Sequence, residues 1–85
     1  MSAANAYTIQ EWFKEAVRQK ATHMIVVCDT FDHEDYPVYC KSPEECLTQY
    51  GEHNGKNMQR VMEVYDIAKG WDKQAKQARV MNLPT

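Results

Sequence analysis

The fold is decided by residues 22–41, THMIVVCDTFDHEDYPVYCK. An apolar run over residues 24–28 leads into an acidic loop, and a second apolar segment, residues 36–40, follows that loop. We expect a β-hairpin whose first strand covers about residues 23–31. That strand is apolar on both faces, as is typical of a strand buried at the centre of a sheet. Pro37 has no N–H for a strand partner, which places the second strand at an edge.

A helix is expected before the hairpin. Thr8 and Glu11 have the spacing of a capping box, which predicts a helix over residues 8–20. Apolar residues recur at helical spacing along this segment, so one of its faces should be buried. Residues 1–6 precede the predicted cap, and we expect them to be disordered.

A second helix should follow the hairpin. Ser42 and Glu45 form another capping box, with Pro43 at the first helical position, where its missing N–H costs nothing. Either Gly51 or the pair Asn54-Gly55 can end this helix. The predicted buried stripe of the helix consists of Cys46, Leu47 and Tyr50.

The segment over residues 56–67 matches two patterns. Its apolar residues fit a helical repeat, and they also fit the alternation of a strand. Its β-branched and aromatic residues favour a strand, and a two-stranded hairpin needs a third strand for stability. We therefore predict an α+β fold in which this third strand makes a split β-α-β unit of order 2-1-3, in an antiparallel or mixed sheet. A C-terminal helix over residues 71–81 would follow, with Trp71, Ala75, Ala78 and Met81 facing inward.

Length and composition indicate a single small domain of 85 residues, 44% of them hydrophobic and 26% charged. No apolar run approaches the roughly 18 residues of a membrane span. The first residues lack the features of a secretory signal, so we expect a cytoplasmic protein that does not enter a membrane. The three cysteines are an odd number, which suits thiols in a reducing compartment.

Charge is distributed unevenly along the chain. Seven acids and one base lie within residues 22–55, whereas the remaining residues hold nine bases and five acids. No cluster of lysine and arginine dominates, which disfavours the binding of duplex DNA.

The acidic loop is a candidate metal site. Carboxylate oxygens are the ligands that Mg²⁺ and Ca²⁺ prefer, and a metal-dependent hydrolase could use them. The alternative is a solvated hairpin tip with turn bonds. Cysteine and histidine spacings match no zinc motif, and no catalytic pattern is present, so we expect no cofactor and no enzymatic activity. The candidate metal ligands are Asp29, Asp32, Glu34 and Asp35.

A second candidate site follows the second helix. Polar donors and two cations lie close together there, and such groups can hold an anionic or nucleotide-like ligand. The alternative is a helix terminator followed by solvated strand residues. The candidate ligand-binding residues are Asn54, Lys56, Asn57 and Arg60.

An interaction surface is the third possibility. Five Tyr, two Trp and five Met are many for a chain of this length, and these residue types are enriched at interfaces. The first strand looks apolar on both sides, so either the C-terminal helix or another chain must cover its second face. We therefore expect a homo-oligomer, with a dimer as the first expectation.

Two segments carry a resemblance. Residues 22–40, THMIVVCDTFDHEDYPVYC, and residues 54–67, NGKNMQRVMEVYDI, resemble small uncharacterised proteins encoded by bacteriophages and prophages. The resemblance implies an accessory protein that binds: one that blocks a host defence protein, or sequesters a nucleotide signal between subunits. Our leading hypothesis is a non-enzymatic anti-defence protein with a host protein partner. The alternatives are an oligomeric nucleotide sponge and a small metal-dependent hydrolase.

Overall fold

The computed structural model describes residues 5–84, and it confirms the predicted α+β fold. A 3-10 turn, Ile67–Lys69, joins the last strand to the final helix. Within residues 5–84, every helix is too short or too polar to cross a bilayer. The elements in chain order are α1 Ala6–Arg18, β1 His23–Asp29, β2 Glu34–Cys40, α2 Pro43–His53, β3 Gln59–Asp66 and α3 Trp71–Ala75.

The three strands form one sheet of order β2-β1-β3, with β1 antiparallel to both neighbours. Strands β2 and β3 therefore run parallel to each other on either side of β1, and α2 connects them. This is the predicted split β-α-β unit. We call the end of the sheet where His23, Cys40 and Asp66 lie side by side the closed end. The opposite end, where Asp29 lies between Glu34 and Gln59, is the tip end.

Strand β1 is buried on both faces by the chain's own helices. Met24 and Val26 pack in a cluster with residues of α1 and with Trp71 of α3. Ile25 and Val27 pack in a second cluster on the α2 side. All four side chains are essentially inaccessible to solvent. The predicted central strand is confirmed, and one chain is sufficient to cover it.

A β-bulge in β3 explains why that segment matched both patterns. Val26 lies opposite Glu63 and Val27 lies opposite Val61, so Met62 is an extra residue in the ladder. The extra residue shifts the alternation, and Val61 and Val64 consequently pack on the same α2-side face. Their separation of three residues imitates a helical repeat within a strand.

Helix α1 begins earlier than the sequence predicted. Its N-cap is Asn5, whose Oδ1 accepts a hydrogen bond of 2.8 Å from the amide of Thr8. The prediction of a cap at Thr8 was wrong because an asparagine three residues upstream already holds that amide. Asn5 and Ala6 thus belong to the start of the helix, whereas residues 1–4 lie outside the described range. The helix ends at Arg18, two residues before the predicted boundary.

Helix α2 begins as predicted. The Ser42 hydroxyl accepts a 3.0 Å hydrogen bond from the Glu45 amide, with Pro43 in the first turn. The predicted buried stripe is wrong in one member, because Leu47 is 50% exposed. Cys46 is fully buried, and Tyr50 packs partly against the same cluster.

The C-terminal helix is confirmed but does not continue to residue 81. It ends at Ala75, and both Ala75 and Ala78 are exposed rather than inward. The chain then turns and lies parallel to β3, where the Val64 amide donates to Val80 and the Val64 carbonyl accepts from Asn82. The C-terminal segment therefore covers part of the outer edge of β3, which a longer helix could not do.

Gln74 holds this C-terminal segment in place. Its side chain is only 1% exposed. The amide Oε1 accepts from the Asp66 N–H at 2.8 Å and from Asn82 Nδ2 at 2.7 Å. Its Nε2 donates to the carbonyls of Asp66 and Gly70. Every donor and both acceptor positions of a buried amide are thereby used.

Candidate functional site

Two loops meet at the tip end of the sheet. Thr30, just after β1, donates through both its amide (2.8 Å) and its hydroxyl (2.7 Å) to the carbonyl of Met58, just before β3. Phe31 and Met58 are 70% and 60% exposed. We call these two large apolar side chains the tip patch. They are exposed to solvent on two loops that the hydrogen bonds of Thr30 join.

The backbone beneath the tip patch is strained. Asn57 and Met58 have φ values of 52° and 59°, and His33 in the neighbouring loop has 58°. A residue other than glycine in this left-handed region costs about 1 kcal/mol or more. Asparagine and histidine tolerate it better than most residues, whereas methionine rarely adopts it. The exposed Met58 side chain therefore stands on a residue whose backbone conformation is unfavourable for methionine.

The four acids proposed as metal ligands separate in the folded chain. Asp29 uses Oδ1 to accept from the amides of Phe31 (2.8 Å) and Asp32 (3.3 Å), so it shapes the turn. Strand alternation puts Asp29 on the α2 side and Asp35 on the α1 side. Glu34 is exposed, as is Asp32. Across residues 5–84, no three His, Cys, Asp or Glu side chains are arranged to hold a metal ion, and this metal site stays a prediction from sequence.

The four residues proposed to bind a ligand do not lie together in the folded chain either. Asn54 ends α2, accepts from the Val61 amide (3.3 Å) and donates to the Tyr50 hydroxyl (3.2 Å). Lys56 and Asn57 are exposed in the loop before β3. Arg60 points to the opposite, α1 side of the sheet, where it lines a groove.

That groove, of about 520 Å³, is open to solvent on the α1 side near the tip end. Its apolar surface comes from Ile9 of α1, Val26 and Met62 of the sheet, and Ala78 of the C-terminal segment. Helix α3 ends at Ala75, and the chain beyond it lines the groove with Ala78 and Arg79 and packs Val80 into the α1-side cluster. The volume falls within the range of about 300–1,000 Å³ that is usual for small-molecule sites.

Two arginines and two acids also line the groove. Arg79 donates from Nε to the carbonyl of Met62 (3.0 Å) and from Nη2 to that of Val61 (3.2 Å). Arg60 donates from Nη2 to the sulfur of Met62 at 3.7 Å. Glu63 accepts from the Tyr65 hydroxyl and from the Val80 amide. The fourth charged residue is Asp35.

Cys28 lies between Asp35 and Arg60 in adjacent strands. Burial raises the pKa of this thiol, and a hydrogen bond with Asp35 raises it further, while the charge of Arg60 acts in the opposite direction. A thiol with a raised pKa is a poor nucleophile at neutral pH. This environment therefore does not activate Cys28 as a nucleophile.

A polar network closes the α2 side of the tip end. His53 lies 2.8 Å from Gln59 Oε1 and 3.1 Å from Gln49 Oε1, and Gln59 Nε2 donates to the Tyr36 hydroxyl at 2.7 Å. Burial raises the pKa of Tyr36, and the nearby charge of Asp29 adds to this effect. These contacts connect His53 of α2 with Gln59 of β3 and Tyr36 of β2, so the network helps to hold α2 on the sheet.

The remaining cysteines lie at the closed end. Cys40 and Cys46 are both fully buried. A hydrogen bond between their side chains raises the pKa of Cys40 and lowers the pKa of Cys46. His23 is buried beside them, and its Nε2 makes no hydrogen bond, with Asp66 Oδ2 at 3.9 Å. All three side chains are closed to solvent and to substrate.

Sequence reasoning did not identify three of the residues described above. Phe31 and Met58 read as ordinary apolar residues, and only their places next to turns could have marked them as exposed. Arg79 was placed in a predicted helix, so its approach to β3 was not foreseen. No family model matches the sequence, and no curated protein or solved structure matches it either.

Proposed function

We propose that the protein acts as a non-enzymatic binding protein that recognises a protein partner through the tip patch. The observation that carries the proposal is the pair of exposed apolar side chains, Phe31 and Met58, on two loops that the double hydrogen bond of Thr30 joins. Aromatic residues and methionine are enriched at protein interfaces. Loops whose backbone is already ordered lose less conformational entropy on binding.

Charge around the tip patch indicates what kind of partner fits. The hairpin loop contributes the exposed acids Asp32 and Glu34 beside Phe31. A complementary partner would present an apolar pocket for Phe31 and Met58, bordered by lysine or arginine. Such complementary charges increase the rate of association and select against wrong partners. The resemblance to phage-encoded proteins suggests a host protein in this role.

Self-association is a separate expectation. The coverage of β1 gives no reason for a second subunit, because α1, α2 and α3 cover both its faces. If a homo-oligomer forms, the tip patch is the apolar surface that we expect it to use. Sedimentation of wild type and of Phe31→Ser would then give different masses at high concentration.

The test compares substitutions inside and outside the tip patch. Tagged wild type, Phe31→Ser and Met58→Gly are used to capture proteins from host lysate, and the affinity of each captured protein is then measured after purification. Loss of a central aromatic anchor should weaken binding by about 2 kcal/mol, roughly thirtyfold. Glycine at position 58 suits the positive φ, so this variant should stay folded.

Leu47→Ser is the matched control, because Leu47 is also a half-exposed apolar residue but lies on α2, away from the tip patch. We expect it to bind the same partner with wild-type affinity. Equal affinities for all four proteins would contradict the proposal.

A further inference from the structure

We propose that the groove between α1, the sheet and the C-terminal segment binds a small organic acid, with Arg60 and Arg79 holding its carboxylate. This ligand site is distinct from the tip patch, and neither site needs the other. The groove combines an apolar surface from Ile9, Val26 and Met62 with two guanidinium groups.

Arg79 is preorganised to receive an anion. Two of its N–H groups are fixed on the carbonyls of Val61 and Met62, which the bulge in β3 places beside the groove. A guanidinium has five N–H donors, so three stay available. Because the side chain is already ordered by these bonds, little conformational entropy would be lost when a ligand binds.

Arg60 supplies a second cation. Its Nη2 donates at 3.7 Å to the sulfur of Met62, which is a weak acceptor. A carboxylate in the groove would replace a weak contact with charge-assisted hydrogen bonds, which are roughly twice as strong as neutral ones.

The acids of the groove restrict the charge of the ligand. Glu63 keeps its carboxylate beside the groove, since Tyr65 and Val80 donate to it. Asp35 lies at the hairpin side. These two negative groups would repel a polyanion such as a nucleoside triphosphate. A single carboxylate on an apolar body fits both the two arginines and the apolar surface.

The experiment is an NMR titration of the whole chain with 4-phenylbutyrate, a monocarboxylate with an apolar ring. We expect saturable shifts at the amides of residues 60–63 and 78–80. The uncharged amide of the same acid should bind about tenfold more weakly, because it cannot form charge-assisted hydrogen bonds with the guanidinium groups. Arg60→Gln should weaken the binding of 4-phenylbutyrate by about tenfold as well, whereas Arg60→Lys should retain part of the affinity.

Lys69→Gln is the matched control. It removes an exposed cation outside the groove, so we expect an unchanged affinity. Arg60 is exposed, and its replacement should not unfold the protein. Three results would each overturn the proposal. The first is the absence of saturable shifts at about 10 mM ligand, a concentration at which even millimolar affinity would be visible. The others are shifts confined to other regions, and equal affinities for Arg60→Gln and Lys69→Gln.

Discussion

The closed end and the tip end of the same sheet differ in the hydrogen bonding of their polar groups and in the exposure of their apolar side chains. At the closed end, buried Gln74 makes four hydrogen bonds to backbone and side-chain groups, whereas the buried Nε2 of His23 makes none. At the tip end, Phe31 and Met58 are exposed on strained loops. We therefore expect substitutions in the Gln74 network to lower stability more than substitutions in the tip patch do.

The largest expected effect is at Gln74. Gln74→Leu keeps the volume of the side chain but leaves the backbone groups of Asp66 and the side chain of Asn82 without their partner. Buried groups that lose their hydrogen bonds are costly, and we expect the free energy of unfolding to fall by about 3 kcal/mol. Urea denaturation measures this change.

Gln77→Ala is the control for that measurement, since Gln77 is exposed just beyond α3. We expect a change within about 0.5 kcal/mol, as for most surface substitutions. If Gln74→Leu were as mild as this control, the closed end would not depend on the amide network.

A substitution at His23, at the same end of the sheet, should increase the stability of the protein, whereas the substitution at Gln74 should lower it. Its Nε2 is buried without a hydrogen bond, and this costs free energy in the wild-type protein. His23→Leu removes that cost at similar volume, and we expect the free energy of unfolding to rise by up to about 1 kcal/mol. Thermal and urea unfolding would both report it, and a clear loss of stability would show that the 3.0 Å contact of His23 Nδ1 with the Thr22 hydroxyl outweighs the cost at Nε2.

The smallest expected effect is a dependence of stability on alkaline pH. Burial and the hydrogen bond to Glu63 raise the pKa of Tyr65, while burial raises the pKa of Tyr36 at the tip end by less. The folded state thus holds these protons more tightly than the unfolded state does. Linkage then requires the free energy of unfolding to decrease as pH rises above about 10, the pKa of an unfolded tyrosine.

Denaturation measured between neutral and alkaline pH tests this sign. Tyr65→Phe should reduce the slope, whereas Tyr7→Phe, at an exposed position, should leave it unchanged. In wild type, absorbance of the phenolate should show Tyr65 ionising after Tyr36. Stability that increases above pH 10 would contradict the assignment.

Much of the fold was predictable because local signals and burial agreed. The run of residues 24–28 is apolar on both faces, and the strand it forms is indeed covered on both sides. The capping box at Ser42 is equally local, since its donor and acceptor lie three residues apart. Where two local signals competed, as for Asn5 and Thr8, the sequence alone did not choose correctly.

The candidate sites were less predictable because they depend on groups far apart in sequence. The candidate set of Asn54, Lys56, Asn57 and Arg60 is divided between two faces, since strand alternation turns Arg60 to the other side. The groove that Arg60 lines is completed by Arg79, which approaches it only because α3 ends at Ala75.

The sequence by itself determined the order of the elements, the central position of β1 and the start of α2, because each follows from hydrophobic pattern or from contacts between near neighbours. Tertiary structure decided the bulge at Met62, the short α3, the extended course of residues 80–82 and the groove. These features depend on hydrogen bonds between distant groups, such as those of Gln74 and Arg79. Local propensity carries no information about such bonds, since they form only when the chain has folded.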